Sequence, residues 1–202
     1  MKKTAMKEER ERPDASTALS VGPDAEALHD IACGDVDLAI WTRALGTSLA
    51  QEVETLDLDR ADDLLLTCLA DQAAAALAPR LIESGHAPCP ALLADVALLA
   101  RLHARVAGKQ GVTIRLEVVE TDACRKFHAD YVTLRTITTY RGVGTQWKRV
   151  DHERIHALKA GEVGVFKGRL LREQPSILHR SPPIADSGET PLVLVIDSNP
   201  SR

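Results

Sequence analysis

The sequence predicts an α+β protein, with helices gathered before about residue 110 and short strands after it. Three observations carry that expectation: apolar residues at helical spacing through the first half, a change to period two beyond Gly111, and turn-forming residues at short intervals from there on. With 202 residues, 45% of them hydrophobic and 27% charged, the chain is long enough for one sizeable core with a helical extension.

Residues 1–24 mix a charge run with Pro13, Ser16, Thr17, Gly22 and Pro23, a composition that buries too little apolar surface to offset the entropy of ordering. A disordered arm is expected there. After Val36, the residues Leu38, Ile40, Trp41, Leu45 and Leu49 fall at helical spacing, with Asp35 or Asp37 placed to cap, and predict a first amphipathic helix. A second helix is predicted through "ADDLLLTCLADQAAAALAPRLIES", closed by Gly85. A third runs through "PALLADVALLARLHARVAG", where Pro90 suits a first turn and Gly108 a helix end.

In "VTIRLEVVE", Val112, Ile114, Leu116 and Val118 alternate with polar residues, which predicts a strand with one buried face. Further strands are expected in "YVTLRTITTY", "RIHAL", "EVGVFKG", "SILHR" and "PLVLVID", a rhythm that suits a sandwich or barrel. The expected division is an arm over 1–24, a helical region over 25–110 and a strand region over 111–202, with 25–202 forming one compact unit.

The net charge is -4 and the basic residues are scattered, so no nucleic-acid partner is expected. The opening "MKKTAMKEERERP" lacks the apolar segment of a secretory signal, and no apolar run approaches membrane-spanning length. A cytoplasmic protein with no membrane partner is the expectation. Cys33, Cys68, Cys89 and Cys124 form no CxxC pair, which argues against a disulfide framework and against a zinc ribbon.

The stretch "DACRKFHADYVTLRTITTYRGVGTQW" holds the candidate site. Residues two apart in a strand point to the same side, so His128 and Asp130 can present an imidazole and a carboxylate to one point. His179, in "ILHRSPP", would supply a third ligand. Two histidines and a carboxylate on one face of a metal leave open positions, an arrangement suited to non-haem Fe(II) that must take a co-substrate and oxygen. If Cys124 joined the three, the set would instead be a closed tetrahedral zinc site; as a packed thiol, it would leave the site open. His152 and His156 are read as solvated, and Trp41, Tyr140 and Trp147 as packing residues. His29, His86 and His103 carry no companion pattern.

Three segments, "FHADYVTLRTITTYRGVG", "AGEVGVFKG" and "LHRSPPI", resemble in order and kind the metal motif, the turn with its apolar strand, and the distal-histidine segment of the Fe(II)- and 2-oxoglutarate-dependent oxygenases. The resemblance covers the C-terminal half. It implies a double-stranded β-helix (jelly-roll, cupin-like) with the N-terminal helical layer packed on it and His128, Asp130 and His179 as the iron ligands. Those oxygenases commonly place an Arg about ten residues after the distal His to clamp the far carboxylate of 2-oxoglutarate by forked pairing. Here that region reads "SGETPLVLVID", with no Arg or Lys, so Arg135, Arg141 and Arg180 are the candidates to substitute from other strands.

A wider resemblance rests on "LAIWTR", "RLEVVETDACRKFHADYVTLRTITTYRGVGTQW", "LKAGEVGVFKG" and "LHRSPP", which together are similar to an uncharacterised bacterial family, domain of unknown function family 1826. Its members are often encoded beside zinc-responsive and metallochaperone genes, which implies a role in metal homeostasis. Two functions are therefore expected in competition. One is an Fe(II)-dependent dioxygenase-like enzyme using 2-oxoglutarate; the other is a non-enzymatic Zn(II)-binding protein that adds Cys124 to the triad. Substrate and oligomeric state have no signature in the sequence.

Overall fold

The computed structural model describes residues 18–60, 64–121, 125–184 and 189–198. Among them, a large sheet runs in the order β1 (Leu19–Gly22), β2 (Leu38–Trp41), β8 (Val163–Lys167), β5 (Leu134–Arg141), β10 (Leu192–Ser198), β4 (Gly111–Val118) and β3 (Leu64–Leu69). A small sheet runs β7 (His156–Ala157), β6 (Gln146–Arg149), β9 (Ile177–Arg180). The pairings are antiparallel except that of β1 with β2. Among the described residues three α-helices, α1 (Thr47–Thr55), α2 (Ala73–Glu83) and α3 (Pro90–Ala107), complete the α+β architecture.

Strand alternation gives the large sheet two different faces. On one, Val112 and Ile114 of β4, Leu194 and Ile196 of β10 and Val165 of β8 share a buried cluster with Leu77 of α2 and Leu92, Val96 and Leu99 of α3. On the other, Leu38, Ile40, Ile137 and Phe166 meet Trp147 and Ile177 of the small sheet. Each face is closed by apolar contact, and the space between the two sheets is where the candidate ligands converge.

The third predicted helix is α3, ended by Gly108 in the left-handed conformation at φ 65. Its first free N–H groups, those of Ala91 and Leu92, donate to the Glu52 carboxylate at 3.0 and 2.8 Å. The first predicted helix is corrected. Leu38–Trp41 is a strand bonded between β1 and β8, and Leu38, Ala39 and Ile40 are all buried, because a strand covered on both faces is apolar at every position and carries no alternation to read. Helix begins only at Thr47. Asp37 is no cap: its carboxylate accepts from Ser176 N and Oγ at 2.7 and 2.6 Å and pairs with Arg172 at 2.6 Å.

The second predicted helix is also divided. Leu64–Leu69 is the edge strand β3, and helix is confined to Ala73–Glu83. The expected arm contains structure as well, since Leu19–Gly22 form β1 and Asp24 caps a short 3-10 helix over Ala25–Ala32 by accepting from Glu26 N. Residues 1–17 of that arm lie outside the described residues, as does Cys124. Cys33, Cys68 and Cys89 are free thiols. No helix among the described residues is long and apolar enough to cross a membrane.

His103, which carried no pattern in the sequence, is buried in α3 with its ring between Thr136 Oγ1 at 2.8 Å and Ser198 Oγ at 2.9 Å. Burial pushes its pKa down to about 4 from an ordinary 6.5, with Asp197 opposing the shift. The folded ring is therefore neutral where the unfolded one is charged. Between those two values the unfolded chain binds more protons, so the contribution is fully present above pH 6.5 and is lost as pH falls toward 4. Chemical denaturation at neutral pH and at pH about 4.5 should show the wild type losing roughly 2 kcal/mol more stability than His103→Gln does. Equal losses would show that the ring does not titrate this way.

Candidate metal centre

His128 enters the site by a single antiparallel bridge to β9: His128 N donates to His179 O at 3.0 Å and His179 N to His128 O at 2.9 Å. The two rings lie on the same side of that bridge, with centroids 4.9 Å apart. Asp130 follows two residues later and brings its carboxylate to the same side. The segment after it is strapped to the turn following β8, where Gly168 N donates to Thr133 O at 2.8 Å, Arg169 N to Asp130 O at 2.8 Å and Leu170 N to Val132 O at 3.0 Å. A side chain at position 168 would collide with the Val132 carbonyl, so the strap requires glycine there.

His128, Asp130 and His179 each offer one ligand atom, and those atoms all lie within 4.8 Å of one another. Asp130 Oδ1 is 3.4 Å from His128 Nε2, and Oδ2 is 2.8 Å from His179 Nε2. His128 Nδ1 lies 2.8 Å from the Lys126 carbonyl, which only accepts, so Nδ1 carries the proton and the lone pair of the neutral ring sits on Nε2, facing the carboxylate. His179 is nearly enclosed, with Phe166 at a ring separation of 4.7 Å.

Burial pushes the Asp130 carboxyl up, but His128, His179 and Arg135 beside it more than reverse this and hold it well below the usual carboxylate range. Its Oδ2 is buried, with His179 Nε2 at 2.8 Å and Arg135 Nη1 at 2.6 Å as close neighbours. Burial lowers the His179 pKa, with Asp130 opposing, and Asp130 raises that of His128. An ionised carboxylate and two Nε2 atoms facing one point are a donor set that fits a divalent metal with open positions.

Behind the ligands runs a ladder of alternating charge. Arg135 Nη1 lies 2.6 Å from Asp130 Oδ2, and its Nε and Nη2 donate to Asp197 at 2.8 and 2.7 Å. Arg115 lies 3.9 Å from Asp197 and 2.7 Å from Glu117. Arg135 thus orients the ligand carboxylate and is itself fixed by Asp197, a partner the sequence reading missed. The pairing comes from register, since Arg135 and Asp197 stand opposite each other on β5 and β10.

The other candidate cations are engaged elsewhere. Arg141 is six residues further along β5 than Arg135, about 20 Å at strand rise, and lies 4.0 Å from Glu54. Arg180 follows His179 and faces the opposite side of the small sheet, with its guanidinium 4.3 Å over Phe127 and its Nε donating to Gln146 Oε1 at 2.8 Å. His156 stacks on Trp147 at 4.3 Å, and His152 is exposed.

The arrangement can be set beside known proteins. The fold is similar to that of the dioxygenase for auxin oxidation 1 from Arabidopsis thaliana, solved with 2-oxoglutarate, at a TM-score of 0.53 and 7% identity over 91% of this chain and 92% of that one. It is also similar, at a TM-score of 0.45 and 14% identity, to a full-length Neurospora crassa protein solved in complex with alpha-ketoglutarate, over 88% of this chain and 79% of that one. The first likeness shows the fold, a double-stranded β-helix of the kind found in 2-oxoglutarate dioxygenases. No curated protein matches the sequence. A family model described as protein of unknown function (DUF1826) matches residues 22–197, which takes in every candidate ligand, and the chain belongs to that family.

Proposed function

We propose that the protein is an Fe(II)- and 2-oxoglutarate-dependent oxygenase with His128, Asp130 and His179 as its iron ligands. The observation that carries this reading is the convergence of two imidazole nitrogens and one ionised carboxylate within 4.8 Å on an oxygenase-like fold. Held there, iron with 2-oxoglutarate and oxygen would supply the oxidising power to remove hydrogen from a substrate, at the expense of 2-oxoglutarate leaving as succinate and carbon dioxide. The protein's own groups prepare that site. The Lys126 carbonyl fixes the His128 tautomer, Arg135 holds the outer side of Asp130, and Phe166 covers His179. His128, more exposed than His179, faces the side from which small molecules would enter.

The test is anaerobic titration of the metal-free protein with Fe(II), followed by 2-oxoglutarate. Stoichiometric iron uptake should be followed by a visible charge-transfer absorption as the 2-oxo acid chelates the metal. Admitting oxygen should then release succinate slowly even without a substrate. An iron-loaded protein whose spectrum does not respond to 2-oxoglutarate would overturn the proposal, and exclusive retention of zinc would move the site to the zinc-binding reading.

A further inference from the structure

Away from the triad, a cleft opens between the 3-10 helix Ala25–Ala32, the C-terminal end of α3 and the end of β8. Its volume is about 630 Å3, within the range of small-molecule sites. Its lining includes Lys109, Lys167 and Arg172 and, among the described residues, no acidic side chain. Apolar Ile31, Val106, Leu134 and Leu171 make much of the remaining wall.

The cations are not charge-balanced from within the cleft. Lys167 is 7% exposed, and its Nζ donates to the Cys33 carbonyl at 2.6 Å and the Gly34 carbonyl at 3.2 Å. An ammonium has three donors, and carbonyl dipoles do not neutralise its charge. Arg172 shares the Gly34 carbonyl at 3.2 Å and pairs with Asp37, whose carboxylate is buried behind the lining and already accepts twice from Ser176. Burial lowers the Lys167 pKa, with Asp37 and Asp35 opposing and Arg172 adding to the shift. Lys167 and Phe166 are consecutive on β8, so this cleft and the His179 side belong to opposite faces of the large sheet.

We infer that this cleft binds a small amphipathic anion, a carboxylate or phosphate head held by Lys109, Lys167 and Arg172 and joined to an apolar body resting on Ile31, Val106, Leu134 and Leu171. A purely apolar ligand would leave the Lys167 ammonium with carbonyl partners only, and a bare anion would leave the apolar wall in water. The inference stands independently of the oxygenase reading.

The probes are octyl phosphate, octanoate, octan-1-ol and inorganic phosphate, titrated calorimetrically into the full chain. Both amphipathic anions should bind saturably at one site, with the alcohol and inorganic phosphate each at least about tenfold weaker. Lys109→Glu at the polar end and Leu171→Asp at the apolar end should each weaken both anions by about tenfold or more, with thermal unfolding confirming the fold. His179→Ala should change nothing, which separates this site from the metal centre. Absence of saturable binding in the wild type, equal affinity for octanol, or undiminished binding in a folded Lys109→Glu protein would overturn the inference.

Discussion

Replacing His128, Asp130 and His179 together with alanine is expected to abolish tight Fe(II) binding. The three supply every ligand atom of the only His/Cys/Asp/Glu cluster with metal-binding spacing among the described residues. The loss should exceed the roughly 10–100-fold that follows removal of a group behind a ligand. Arg135→Met tests that lesser case: the ligands remain, but Asp130 loses its orienting partner and Asp197 keeps only Arg115, at 3.9 Å. Its iron affinity should fall within about that 10–100-fold range, with partial rescue by Arg135→Lys, which restores the charge without the forked geometry. Elemental analysis and competition with a chelator read both variants, and stoichiometric iron retained by the folded triple variant would sink the metal-centre assignment.

The triad was legible because its recognition needs little three-dimensional information. His-x-Asp places two donors on one side whenever the backbone is extended, and a single bridge to His179 suffices to bring in the third. The ladder behind it was not legible. Arg135 meets Asp197 only because β5 lies beside β10 in one register, and the sequence does not state which strands are neighbours. Arg180 shows the converse: once His179 faces inward on a strand, alternation alone turns its neighbour to the other side of the small sheet. The strand after the distal histidine presents Val193 toward the inner apolar cluster, in keeping with the missing Arg there.

For the fold, the strands that read correctly are those with one buried and one polar face, such as β4, where Val112, Ile114 and Leu116 alternate with Thr113, Arg115 and Glu117. β2 and β3 were read as helix for a common reason. Both are short and apolar without alternation, a pattern that a helix and a covered strand share. In β3 the apolar run is separated from the alanines of α2 only by the short 3-10 turn Ala70–Gln72, and Leu65 and Leu69 are exposed on the edge strand, so neither period nor burial marks the boundary. β1 hides in a segment whose Gly and Pro suggested disorder, but whose four residues need only pair with β2 to be held.

Asp95→Ala is expected to cost about 3–5 kcal/mol of stability, the range for removing one partner of a buried ion pair. Asp95 on α3 receives Arg43 Nη1 at 2.5 Å and Nη2 at 2.8 Å, and the Tyr140 hydroxyl of β5 donates to it at 2.8 Å. Arg43 also donates from Nε to the Gly161 carbonyl at 2.7 Å and stacks over Trp41, so one carboxylate joins the exit of β2, α3, β5 and the turn before β8. Burial pushes the Tyr140 pKa well above its ordinary value, with Asp95 adding to the shift, and the phenol remains a donor that must find an acceptor. Alanine at position 95 would strand both a guanidinium and a hydroxyl in a region where each is largely enclosed. Replacing the whole group together, by Arg43→Met, Asp95→Leu and Tyr140→Phe, removes the stranded charge and the unpaired hydroxyl and should recover more than half of that loss in denaturant titration. A triple variant no more stable than Asp95→Ala would mean that the network stabilises the fold by more than avoiding an unpaired charge, since apolar packing could then not replace it.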